Sequence, residues 1–138
     1  MNEAFVDVNV LIRLLTGDDP RKKQASLELF KQVEQGLLTL YTPDTTIADA
    51  VFVLTSPRQY DVPRSDAAAM LTRLVRLPYF KVQNRRAVLR ALDLFGTTPG
   101  LDFGDAMIVA VMEQHRRSTI YSYDRDFDDF PWITREEP

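Results

Sequence analysis

The chain contains no cysteine and a single histidine. A disulfide framework and a thiolate metal site are thereby excluded, and any metal site must be built mainly from oxygen. The absence of cysteine also fits a reducing compartment, and a cytoplasmic location is expected. No apolar run reaches the length of a membrane helix, so no membrane association is expected. Asp7 and Arg13 interrupt the first apolar stretch and no small-residue cleavage site follows, so a signal peptide is not expected either. Excess positive charge is missing too: the net charge is −3. That argues against a blanket attraction to nucleic acid, although a local basic rim can do the work that overall charge does not. Repeats and low-complexity tracts are absent.

What remains is ordinary for a globular protein. The 138 residues, 45% hydrophobic and 27% charged, read as one domain spanning 1–138 with enough chain for a real core. The apolar run from Ala4 to Ile12 predicts a buried first strand ending near Asp7 and a short helix that stops at Gly17. Asp19-Pro20 reads as a cap followed by proline at the first helical position, with an amphipathic helix continuing to Glu34. Leu37 to Tyr41 is β-prone. Helices follow from Asp44 to Thr55 and from Pro63 to Leu77, then a strand at Tyr79 to Val82 and a helix from Arg85 to Phe95. The loop from Gly96 to Gly100 is the strongest punctuation in the chain. Beyond it come a helix from Asp102 to about His115, a strand at Thr119 to Tyr121, and an acidic tail with a last short strand near Trp132-Ile133. Strands separated by helices, with no hairpin signal, predict an α/β/α sandwich around a central parallel sheet of four or five strands.

Four isolated carboxylates stand in apolar surroundings. Asp7 follows the first strand, where open α/β sheets bind ligands, although an aspartate there also serves as a helix cap. Asp49 is the only charged residue between Asp44 and Arg58. It lies on a helix apolar nearly all round, which predicts burial, unless the residue faces a solvent gap or an arginine. Asp105 opens the apolar run Ala106 to Met112, with Asp102 before it as an N-cap; acids in a first turn also suit the helix dipole. Asp124 stands just past the last well-defined strand. Asp126, Asp128 and Asp129 behind it read as an ordinary polar turn.

If Asp7, Asp49, Asp105 and Asp124 converge, their repulsion is large. Two carboxylates at about 4 Å repel by about 4 kcal/mol at an effective dielectric of 20. Several such pairs rival the whole stability of a domain, about 5–15 kcal/mol. Either some of the acids are protonated or a cation sits among them. An all-oxygen site suits Mg²⁺ or Mn²⁺, and such an ion suits phosphoryl chemistry.

In this order and context the segments Phe5-Val6-Asp7-Val8-Asn9-Val10-Leu11, Leu101-Asp102-Phe103-Gly104-Asp105-Ala106 and Tyr121-Ser122-Tyr123-Asp124-Arg125-Asp126-Phe127 resemble the motifs of PIN-domain ribonucleases. The likeness is closest to the VapC-like toxins of bacterial toxin–antitoxin pairs and covers nearly the whole chain. It implies a PIN-like fold and a Mg²⁺- or Mn²⁺-dependent endoribonuclease. Asp7, Asp105 and Asp124 would hold the metal, and Asp49 would position or deprotonate the attacking water. Asn9, Ser122 and Asp126 would support the ligands from behind. An RNA substrate, a homodimer and a cognate antitoxin that plugs the acidic pocket are implied as well. Two positions differ from the family pattern. Asp49 stands where glutamate is usual, and Val8 where threonine or serine is usual.

Basic residues available to RNA include Arg13, Arg21, Lys22, Lys23, Arg73, Arg76, Arg85, Arg86 and Arg90. Most read as solvated helix faces. Arg13, on the helix that leaves the Asp7 strand, is the one expected to bind RNA. His115 is expected to complement a helix C-terminus. Two alternatives are a PIN-fold binding module with weakened catalysis and a Mg²⁺-dependent phosphatase or phosphoacceptor using Asp7 as nucleophile.

Overall fold

The structure, a computed structural model, describes residues 2–138. In chain order the elements are β1 (Asn2–Phe5), α1 (Val8–Leu15), α2 (Pro20–Glu34), β2 (Leu38–Thr42), α3 (Asp44–Thr55), α4 (Arg64–Val75), β3 (Phe80–Val82), α5 (Arg85–Thr97), α6 (Phe103–His115), β4 (Thr119–Tyr121) and β5 (Thr134–Glu136). A 3-10 turn over Arg125–Asp129 separates the last two strands.

Local chemistry explains most of these boundaries. Asp7 begins α1 by accepting hydrogen bonds at Oδ1 from the amides of Asn9 (3.1 Å) and Val10 (3.4 Å). Asp19 does the same for Lys22 at 3.0 Å, with Pro20 as the first residue of α2. After α2 the chain turns at Gly36 with φ +75°, where a side chain would meet the Tyr79 ring at 3.1 Å. At the end of α6, Arg116 takes φ 55°. The amides of Arg116 and Arg117 then close on the carbonyls of Glu113 and Met112, satisfying the last turn. His115 lies in that turn, exposed, as the dipole reading expects.

All strand pairs are parallel, as expected, but they form two sheets. One has the order β1-β2-β3; the other contains β4 and β5 alone. The expected single sheet of four or five strands is therefore corrected to three strands plus two. β1 pairs with β2 from Asn2↔Leu38 to Phe5↔Tyr41, and β2 with β3 from Leu40↔Phe80 to Thr42↔Val82. β4 pairs with β5 from Thr119↔Thr134 to Tyr121↔Glu136. The physical reason lies in β1 and β4 themselves. All four residues of β1 are exposed, with Asn2 and Glu3 polar, and β4 has three residues with Thr119 and Tyr121 exposed. Neither strand offers the apolar face that would hold it against the other.

The core forms where helices meet the three-stranded sheet and one another. Leu11, Leu40, Ile47, Leu54, Leu71 and Phe80 are fully buried. Phe30 meets Phe80 edge-on with centroids 5.5 Å apart. A fully buried side chain of this size contributes about 1.5–3 kcal/mol. Phe127 and Ile133 belong to the same core cluster and tether the second sheet to the rest of the molecule.

Candidate metal centre

The site is built from the N-terminus of α6 and the turn after β4. Asp102 caps α6, accepting from the Asp105 amide at 2.8 Å. Ala106, Val109, Ala110 and Met112 bury the helix behind that cap. Asp105 therefore projects from a fixed first turn and is itself half-buried.

The opposite wall is a chain of short hydrogen bonds. The Ser122 amide donates to the Glu136 carbonyl at 2.9 Å, which ties the turn to β5. Ser122 Oγ accepts from the Asp124 amide at 2.9 Å, and Asp124 Oδ1 accepts from the Asp126 amide at 2.9 Å. Phe127, buried in the core, anchors the turn.

Together these elements bring carboxylate oxygens of Asp105, Asp124 and Asp126 within 4.8 Å of one another. None of the three makes an ion pair among the described residues. Burial pushes the Asp105 carboxyl up to about 6, and the charges of Asp102, Asp124 and Asp126 push in the same direction. Asp126 is raised as well, chiefly by Asp124. Such a group is electrostatically incomplete. Ligand oxygens on opposite sides of a divalent ion lie about 4 Å apart for Mg²⁺ and about 5 Å for Ca²⁺. The spacing and the all-carboxylate donor set thus fit a hard divalent cation.

The other expected residues stand differently. Asp7 is exposed and outside the group, with Oδ1 committed to the α1 amides. β1 and β4 are not hydrogen-bonded to each other, so no strand ladder fixes Asp7 beside Asp124. Asp126, expected behind the ligands, belongs to the acidic group itself. Asp49 is exposed rather than buried, because α3 turns Asp49 and Phe52, three residues apart, to solvent. The side chain of Asn9 is exposed, and its amide serves Asp7. Ser122 lies behind the acids as expected, holding the Asp124 amide. Arg13 pairs with Asp18 at 3.1 Å. Asp18 also accepts from Tyr60 at 2.8 Å, a bond that leads in holding its carboxyl below the usual range. Several other basic candidates serve the fold. Lys23 donates to the Leu14 carbonyl, Arg85 to Leu77 and Phe80, and Arg90 pairs with Glu113 and Asp93.

Three residues escaped sequence reasoning. Asp102 read only as a cap, yet it also raises the Asp105 carboxyl. Arg64 donates to the Thr98 and Leu101 carbonyls and lies 3.8 Å from the Phe95 ring centroid, bracing the loop that leads into α6. Its Nε is buried without a partner among the described residues, and burial lowers its basicity against the pull of Asp102. A cation in the first turn of α4 opposes the helix dipole, which was the available signal. Arg135 lies in the tail, where no local pattern marks it.

No curated protein matches the chain. Among solved structures, the Mycobacterium tuberculosis toxin VapC20, described as cleaving the sarcin–ricin loop, aligns over 91% of this chain and 93% of its own. The identity is 18% and the TM-score 0.40. The PIN domain family matches residues 4–133, a stretch that holds Asp7, Asp49, Asp105, Asp124 and Asp126. The chain belongs to the PIN domain family.

Proposed function

We propose that this protein is a Mg²⁺- or Mn²⁺-dependent endoribonuclease and the toxin of a toxin–antitoxin pair. The observation that carries the reading is the set of three unpaired carboxylates, Asp105, Asp124 and Asp126, within 4.8 Å of one another in a PIN-domain chain. These three would hold the ion. When bound, such an ion polarises a phosphoryl oxygen and lowers the pKa of a coordinated water. The chain's own residues supply the rest. Asp102 and Ser122 fix the backbones that carry the ligands. Asp7 keeps Oδ2 free of partners among the described residues, so that oxygen would be available to a water or the ion. Asp49, exposed on α3, would accept a proton from the attacking water. Arg13 would contact RNA after exchanging Asp18 for a phosphate. The partners to seek are an antitoxin that covers the acids and a second copy of the chain.

A binding module with weakened catalysis is favoured by one observation, the position of Asp7 and Asp49 outside the acidic group. Calorimetric titration with Mn²⁺, followed by RNA cleavage with and without chelator, separates the readings. The nuclease reading expects binding below millimolar concentration, cleavage that EDTA stops, and loss of cleavage in Asp105→Asn and Asp124→Asn. Binding without cleavage selects the module. Absence of binding at millimolar Mn²⁺ removes the metal-dependent reading.

A further inference from the structure

We propose that Arg135 is a positioning residue of the acidic site, acting through the turn that presents Asp124 and Asp126. The inference rests on the metal-site reading above. Arg135 lies on β5 with its side chain 13% exposed. Its Nε donates to Asp128 Oδ1 at 2.9 Å and its Nη2 to Asp128 Oδ2 at 3.3 Å, a two-point fork that fixes the guanidinium plane. Its Nη1 donates to the Ser122 carbonyl at 3.0 Å. Glu137, 3.8 Å away, adds a looser ion pair. One side chain therefore clamps both ends of the turn, Ser122 at its entry and Asp128 in the 3-10 segment. Between these two points run the bonds from Ser122 Oγ to the Asp124 amide and from Asp124 Oδ1 to the Asp126 amide. The Arg135 fork sets the angle at which Asp124 and Asp126 meet Asp105.

Charge and position make opposite forecasts, which renders the role testable. Arg135 feels the charge of Asp124. As a mere neighbouring cation it opposes a second cation, so neutralising it should tighten metal binding. As a clamp it holds the ligands, and loss of such support costs about 10–100-fold in metal affinity. The experiment measures Mn²⁺ affinity by calorimetry for the full chain, Arg135→Gln and Arg135→Lys. Amide resonances of Asp124 and Asp126 are recorded in the metal-free proteins. The expected result is about 10-fold or greater weakening in Arg135→Gln, with both amide resonances displaced. Arg135→Lys, which keeps the charge but cannot fork, falls between the two. Equal or tighter binding in Arg135→Gln overturns the proposal. If Arg135→Gln does not fold, Arg135→Lys decides: weakened binding supports the clamp and unchanged affinity overturns it. Failure of the unsubstituted chain to bind Mn²⁺ removes the metal reading itself, and this inference with it.

Discussion

Replacing Asp105 by asparagine should stabilise the metal-free protein at alkaline pH while removing one ligand of the proposed metal site. The Asp105 carboxyl is raised from 3.8 to about 6, first by burial and then by Asp102, Asp124 and Asp126. A shift of about two units corresponds to about 3 kcal/mol. Solvent screening at a half-exposed group reduces this to about 1–2 kcal/mol. A negative charge in the first turn of α6 is itself favourable by about 0.5 kcal/mol, which the substitution gives up. The net gain for Asp105→Asn is about 1 kcal/mol, or about 3–4 °C in Tm for a chain of this length. Its sign follows from linkage. Below 3.8 the carboxyl is protonated both folded and unfolded, and costs nothing. Between 3.8 and about 6 the cost grows, and above about 6 it is full. Asparagine also offers an N–H to Asp124 where the protonated acid offers its O–H. Thermal unfolding of chelator-treated protein at pH 8 and near pH 4 measures the difference. The gain should be present at pH 8 and largely gone near pH 4. With Mn²⁺ at 100 times its Kd the order should invert, since the unsubstituted chain then gains about 2.7 kcal/mol. An Asp105→Asn variant no more stable at pH 8, or equally stabilised near pH 4, refutes the account of strain at the site.

Asp102→Asn keeps the α6 cap, because asparagine caps as well as aspartate, but removes a charge; the Asp105 carboxyl should titrate below about 6 by NMR. Phe80→Ala empties a fully buried position beside Phe30 and should cost about 3–5 kcal/mol in urea denaturation. Gly36→Ala forces a side chain into φ +75° and against the Tyr79 ring; a loss of about 1–2 kcal/mol is expected from chemical denaturation. Tyr60→Phe removes the leading bond to Asp18, and the Asp18 carboxyl should return upward in an NMR titration.

The helices were legible because each carries its own start and stop. Asp102 with the apolar run behind it marked α6, and Asp19-Pro20 marked the start of α2. α5 runs one residue past Gly96 to Thr97, since that glycine packs its backbone against Ala68 rather than ending the helix. The sheets were less legible, for two reasons. β3, β4 and β5 have three residues each, too few for an alternating pattern, and parallel pairing joins residues distant in sequence. The apolar run from Ala4 to Ile12 was correctly read as strand then helix, but its burial belongs to Val6, Leu11 and Ile12 rather than to β1. Asp105 was visible as the acid that opens an apolar run, and Asp124 as the acid just past a strand. Asp126 was hidden among the similar acids of its turn. Asp49 misled because an apolar composition does not reveal which arc of a helix meets water.

The acids straddle a mechanical boundary. Two ride on the β4 turn, whose strand pairs, among the described residues, with β5 alone, and the third rides on α6. An ion shared among them would be a clasp between two separately hydrogen-bonded bodies, otherwise joined by the covalent chain and by buried groups such as Phe127 and Ile133. Local opening of the smaller body then becomes harder in proportion to ion occupancy. Amide exchange in β4 and β5 should slow on loading while exchange in β2 stays as it was, so the ion would also hold the smaller sheet closed.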